Sequence, residues 1–97
     1  MTELFISRRA EAELRQIWRY IAAENPAAAD RLLLKIDDKL QILRDFPKIG
    51  TLRPDIRPGF RMLVEGYYLL LYDYDEANDA VELISAVDGR QDLTELF

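Results

Sequence analysis

No cysteine and no histidine occur among the 97 residues. Without cysteine there is no disulfide framework and no thiolate metal site. Without histidine the usual general base near neutral pH is missing, and proton transfer would fall to a lysine, a tyrosine or a carboxylate with a shifted pKa. Lysine is also scarce: only Lys35, Lys39 and Lys48 are present, the first two in a helical segment where they read as solvated charges. The longest apolar run, residues 67–72, falls far short of the roughly 20 residues of a membrane span. Residues 1–7 lack the basic start and long apolar stretch of a signal peptide. Neither a glycine-rich phosphate loop nor zinc-ligand spacing nor a nucleophile elbow is found. These absences predict a cytoplasmic chain without metal, cofactor or membrane association.

What is present is ordinary globular composition. Hydrophobic residues make up 49% and charged residues 32%, enough for one core and one domain spanning residues 1–97. The net charge of −5 is unevenly spread. Residues 1–72 carry 12 basic and 10 acidic side chains, whereas residues 73–97 carry eight acidic side chains and only Arg90 as a base. A chain that grips nucleic acid needs several cations on one surface. The acidic last quarter works against that, so direct nucleic-acid binding is not expected.

Leu4, Phe5 and Ile6 predict a short strand, with Ser7 as the N-cap of a following helix. Ala10, Leu14, Ile17, Trp18, Ile21 and Ala22 recur at helical spacing, with Arg8, Arg9, Glu13, Arg15, Arg19 and Glu24 on the opposite side. Asn25 and Pro26 mark a boundary and start a second helix, expected to run to about Asp45 with Ala29, Leu32, Leu33, Ile36, Leu40 and Leu43 as its stripe. So short a turn predicts an antiparallel helical hairpin. Residues 48–58 read as a loop. The period then changes to two. Phe60, Met62 and Val64 alternate with Arg61, Leu63 and Glu65, and Gly66 suits a tight turn. Residues 67–74 are apolar on both faces as far as Tyr72, as in a covered central strand. In a last strand, Val81, Leu83, Ser85 and Val87 alternate with Glu82, Ile84 and Ala86. Leu93, Leu96 and Phe97 give residues 91–97 the spacing of a short terminal helix. The fold class is α+β, in the order β-α-α-β-β-β, with the helical hairpin on one face of a mainly antiparallel sheet.

Arg61, on a strand among apolar neighbours, is a candidate for engaging a partner carboxylate or phosphate through its planar fork. The plainer alternative is a cross-strand ion pair with an acid such as Glu82. Arg90 follows Gly89 at a strand end, where exposed functional residues often lie, and Arg53 and Arg57 offer a basic rim around Arg61. Tyr68, Tyr72 and Tyr74 share a strand face and are expected in the core, their hydroxyls needing partners. Trp18 and the helical aliphatics are either core or the lining of an open groove for a partner helix.

Several segments, taken in order, resemble the ParE/RelE superfamily of toxins from bacterial toxin–antitoxin modules. They are Phe5-Ile6-Ser7 with the Leu14, Ile17, Trp18 and Ile21 helix; Asn25-Pro26-Ala27; Leu43 with Phe46-Pro47-Lys48-Ile49-Gly50; Arg57-Pro58-Gly59-Phe60-Arg61; residues 68–74; and Val87-Asp88-Gly89-Arg90. The chain looks most like the ParE branch, also called plasmid stabilisation proteins. That resemblance implies a ribbon-helix-helix antitoxin of the ParD type, which wraps and neutralises the toxin, and DNA gyrase as the target. The alternative within the superfamily is ribosome-dependent mRNA cleavage of the RelE type, with Arg61, Arg90 and either Lys48 or Tyr72 in the site. A third reading is a non-toxic adaptor that represses its own operon with its antitoxin. The missing histidine and the acidic last quarter favour a non-enzymatic inhibitor of gyrase. On this reading Arg57, Arg61 and Arg90 meet the target, and Leu14, Trp18, Ile21, Leu33 and Ile36 meet the antitoxin.

Overall fold

The computed structural model describes residues 2–91, 93 and 97. Strand β1 (Glu3–Ile6) leads into helix α1 (Arg8–Ala22) through Ser7, whose hydroxyl accepts the Ala10 N–H at 3.0 Å and donates to the Ile84 carbonyl at 2.8 Å. One side chain therefore caps the helix and ties it to the sheet. Helix α2 (Pro26–Ile42) starts as its sequence predicts, with Pro26 at the first position and Asn25 accepting the Ala28 N–H at 3.1 Å. It ends at Ile42, earlier than Asp45, because residues 43–45 tighten into turns, with the Leu43 N–H bonded to the Leu40 carbonyl.

Four more strands follow: β2 (Thr51–Leu52), β3 (Arg61–Glu65), β4 (Tyr68–Asp75) and β5 (Ala80–Asp88). They join β1 in one sheet of order β1-β5-β4-β3-β2, antiparallel except for the parallel β1–β5 pair. The helical hairpin and the mainly antiparallel sheet give the α+β class read from the sequence. Strand β2 lies within the expected loop of residues 48–58; two residues are too short to show a period. Lys39 donates to the Val64 carbonyl and pairs with Glu65 at 3.3 Å, so α2 covers part of the outer edge of β3 that β2 leaves unpaired.

Strand β4 is central, and it is buried from both sides. On the helical face Leu70 and Tyr72 pack with Ala10, Ile36, Leu40, Leu43, Val81, Leu83 and Ala86. On the other face Leu71 packs with Phe60 and Val87, supported by Ile56, Met62, Leu69, Ile84, Leu93 and Phe97. Phe97 meets Phe60 edge-on at 5.4 Å. The expected terminal helix over residues 91–97 lies largely outside the described residues. Strand β5 departs from its expected simple alternation. Leu71 pairs with Ser85 and Tyr72 with Leu83, so Ile84 is an extra residue in a bulge. The bulge sends Ala86 to the helical face and Val87 to the opposite one, reversing the pattern set by Val81 and Leu83.

Candidate functional site

Three places gather the residues of interest: a clamped loop beside β3, a cleft between α1 and the ends of β4 and β5, and a groove between the helices.

The clamped loop holds Arg61 and Tyr72, which face each other across β3 and β4. Tyr72 is fully buried. Its hydroxyl donates to the Pro47 carbonyl at 2.9 Å and accepts the Gly50 N–H at 2.9 Å. The Arg61 guanidinium donates through Nη1 to the carbonyls of Lys48, at 3.0 Å, and Gly50, at 2.9 Å. Two side chains thus satisfy four backbone groups of one short loop, as buried polar groups require. Burial pushes the Tyr72 phenol up, with the Gly50 N–H and Arg61 offsetting part of the effect. Arg61 does not pair with Glu82, because β4 lies between their strands.

Around it, Arg53 forms a fork with Asp55, at 3.0 and 2.8 Å, and Arg57 lies 5.6 Å from the centre of the Phe60 ring. Phe60 belongs to the core on the face away from the helices, so Arg57 and Arg61 serve different faces of the sheet. Arg90 is further off. It follows β5 at the Tyr68 end of β4, four residues along from Tyr72, or about 13 Å of strand. The structure does not bring Arg57, Arg61 and Arg90 into one cluster.

The cleft at Arg90 has a volume of about 480 Å³ and is lined on one side by Glu13, Gln16, Ile17 and Tyr20 of α1 and on the other by Tyr68, Asp88 and Arg90. The Arg90 guanidinium is held by the Asp88 carboxylate, Nε to Oδ1 at 2.9 Å and Nη2 to Oδ2 at 2.5 Å, and Oδ1 also accepts the Arg90 backbone N–H at 2.9 Å. The opposite contact is with Tyr67, whose ring centre is 4.5 Å from the guanidinium carbon. The Arg90 side-chain bonds, then its backbone N–H, lower the Asp88 pKa to about 2. Burial, and then the Asp88 charge, push the Tyr68 phenol up. Glu13, expected on the solvent side of α1, instead accepts the Ser85 hydroxyl at 2.7 Å and the Ala86 N–H at 3.2 Å. It braces the bulge and so fixes the cleft wall. The sequence carries no signal for this, because the bulge that turns those donors toward α1 is invisible in the residue pattern.

The groove between the helices is almost wholly apolar. Leu14, Leu33 and Ile36 line it together with Ile6 and Leu40, around a volume of about 250 Å³. Ile36 is itself a core residue, only 2% exposed, and shows the groove an edge. Glu11, Arg15 and Asp37 form the rim, with Arg15 bonded to Glu11 at 2.8 Å. Trp18 and Ile21 lie further along α1 and are half-buried. The Trp18 indole N–H donates to Asp30 at 2.8 Å, joining α1 to α2. Among the described residues no acidic, histidine or cysteine group is arranged to hold a metal ion, and no helix is long and apolar enough to cross a membrane.

Comparisons with known proteins match this architecture. Residues 4–93 match the family described as the ParE toxin of the type II toxin–antitoxin system, parDE. No curated protein matches the chain in sequence. Among solved structures the fold is similar to that of the chromosomal ParDE toxin–antitoxin system from P. aeruginosa, with a TM-score of 0.73 and 21% identity over 91% of this chain and 96% of that one. It is also similar to the intact E. coli RelBE toxin–antitoxin complex, with a TM-score of 0.67 and 19% identity over 94% of this chain and 100% of that one. At these identities the structural likeness establishes the fold, while the family match over nearly the whole chain establishes the lineage: the chain belongs to the ParE toxin family of type II toxin–antitoxin systems, within the ParE/RelE superfamily.

Proposed function

We propose that this toxin inhibits DNA gyrase by binding it in the cytoplasm, without catalysing a reaction, and that a ParD-like antitoxin neutralises it by docking on the groove of Leu14, Leu33 and Ile36, with Trp18 and Ile21 at its far end. The observation that carries the reading is the state of the groups that RNA cleavage would need. Arg61 is spent on two loop carbonyls, and Arg90 is chelated by Asp88. The Tyr72 hydroxyl is buried with both its donor and acceptor roles filled, and burial raises its pKa, which opposes use as a base. Lys48 is paired with Glu76 at 2.6 Å. No histidine exists to replace them. Binding needs only complementary surface, which the exposed Arg57 and Arg90 offer, Arg90 as its ion pair with Asp88.

The RelE-type alternative draws on one feature, the open cleft in which Glu13 and Tyr20 of α1 stand opposite Tyr68 and Arg90. The two readings separate in a supercoiling reaction. Added toxin should slow ATP-dependent supercoiling by purified gyrase, and a ParD-like antitoxin should restore it. Undiminished supercoiling at a large excess of toxin would reject the proposal.

A further inference from the structure

Among the described residues the cleft is lined by one cation, Arg90, and that cation is occupied from within the chain. Asp88 and Arg90 are two residues apart across Gly89, and the turn after β5 points both side chains the same way. The carboxylate takes the guanidinium edge at Nε and Nη2, the edge that a phosphate or an external carboxylate would take in a paired-bond arrangement. Tyr67 covers one face of the guanidinium. The rest of the wall offers an anion little: Glu13 is acidic, and Tyr20, Tyr68 and Gln16 are neutral.

We infer that Asp88 is a specificity-determining residue of this cleft: it holds Arg90 as an internal ion pair and so keeps the cleft from accepting RNA phosphate. The inference deepens the reading of the chain as a binding toxin and rests on it, because it assigns the cleft's refusal of RNA to one side chain. If it holds, removing the carboxylate exposes a guanidinium already placed beside two tyrosines able to stack on a base.

The test uses the full chain and a fluorescein-labelled 12-nucleotide single-stranded RNA, with anisotropy read at low salt. The isosteric Asp88→Asn variant and the smaller Asp88→Ala variant are compared with wild type and with the double variant Asp88→Ala/Arg90→Ala. Release of a solvent-facing ion pair is worth about fivefold in affinity. Asp88→Asn and Asp88→Ala should therefore bind the RNA about fivefold more tightly than wild type, and the double variant should lose that gain. Equal binding by wild type and both single variants would overturn the inference, as would an undiminished gain in the double variant, which has the wild-type net charge and no guanidinium at position 90, since the gain would then not run through Arg90. NMR titration supplies a second readout. The Asp88 carboxyl should titrate at about 2 in wild type and move up to the ordinary aspartate range in Arg90→Ala. An ordinary value in wild type would also overturn the inference. These readings compare variants of one chain, so they stand apart from whether wild type inhibits gyrase.

Discussion

Gly50 to alanine is the smallest change that tests the clamped loop. A methyl at this position would lie 2.6 Å from Tyr72 Oη, 2.7 Å from Cε1 and 3.0 Å from Cζ. Comfortable contacts between carbon atoms begin near 3.5 Å. The penalty is steric, since Gly50 does not occupy the left-handed backbone region. Tyr72 has no exposed surface and is wedged among Leu43, Leu70 and Leu83, so its ring has little room to retreat. Overpacking of this kind costs about 1–3 kcal/mol. Displacing the phenol also breaks the bond from the Gly50 N–H, worth about 1 kcal/mol net. The expected loss is about 2–4 kcal/mol, a large share of the 5–15 kcal/mol typical of a domain, and it should lower the melting temperature by roughly 10–25 °C. Urea unfolding followed by circular dichroism measures it, provided the denaturant slope is unchanged. Tyr72→Phe keeps the ring, removes the clashing oxygen, and strands the Pro47 carbonyl and Gly50 N–H at a cost of about 1–3 kcal/mol. In the double variant the methyl and the missing oxygen partly compensate, so the combined loss should fall about 1 kcal/mol short of the sum. A Gly50→Ala protein within 0.5 kcal/mol of wild type, or strict additivity in the double variant, would refute the packing described here.

Two further outcomes follow from the same geometry. Arg61→Lys keeps the charge but loses the Nη1 group that donates to both the Lys48 and Gly50 carbonyls, so it should lower unfolding stability by about 1 kcal/mol; unchanged stability with weakened gyrase inhibition would instead mark Arg61 as a contact to the target. Leu33→Glu puts a charge into the apolar groove, and antitoxin affinity measured by calorimetry should fall about thirtyfold or more, whereas unaltered affinity would place the antitoxin elsewhere.

The parts of this fold legible in the sequence are those governed by local chemistry. Ser7 and Asn25 are short polar side chains directly before apolar helical stripes, and both accept the helix N–H expected of them. Residues 67–72 are apolar at every position, and β4 is the strand covered on both faces. What was illegible depends on backbone partners. The acceptors for Arg61 are carbonyls of Lys48 and Gly50, which any residue supplies, so the side-chain pattern offers only a partner's anion or an acid such as Glu82. The alternation from Val81 to Val87 looked unbroken, and only the register with β4 exposes the extra residue at Ile84. That bulge turns the Ser85 hydroxyl and the Ala86 N–H toward Glu13, converting an expected surface charge into a brace. The candidate site was legible in part. Leu14, Leu33 and Ile36 converge as their spacing suggests, but Arg57, read with Arg53 as a rim around Arg61, lies against Phe60 on the other face of the sheet.

The proposed mode of action, binding gyrase without cutting RNA, is tested most directly by incubating the purified chain in parallel with gyrase on supercoiled plasmid and with ribosomes translating a defined mRNA. Linear plasmid trapped in gyrase–DNA cleavage complexes is expected, together with full-length mRNA. Cleaved mRNA with an unaffected plasmid would contradict that mode of action.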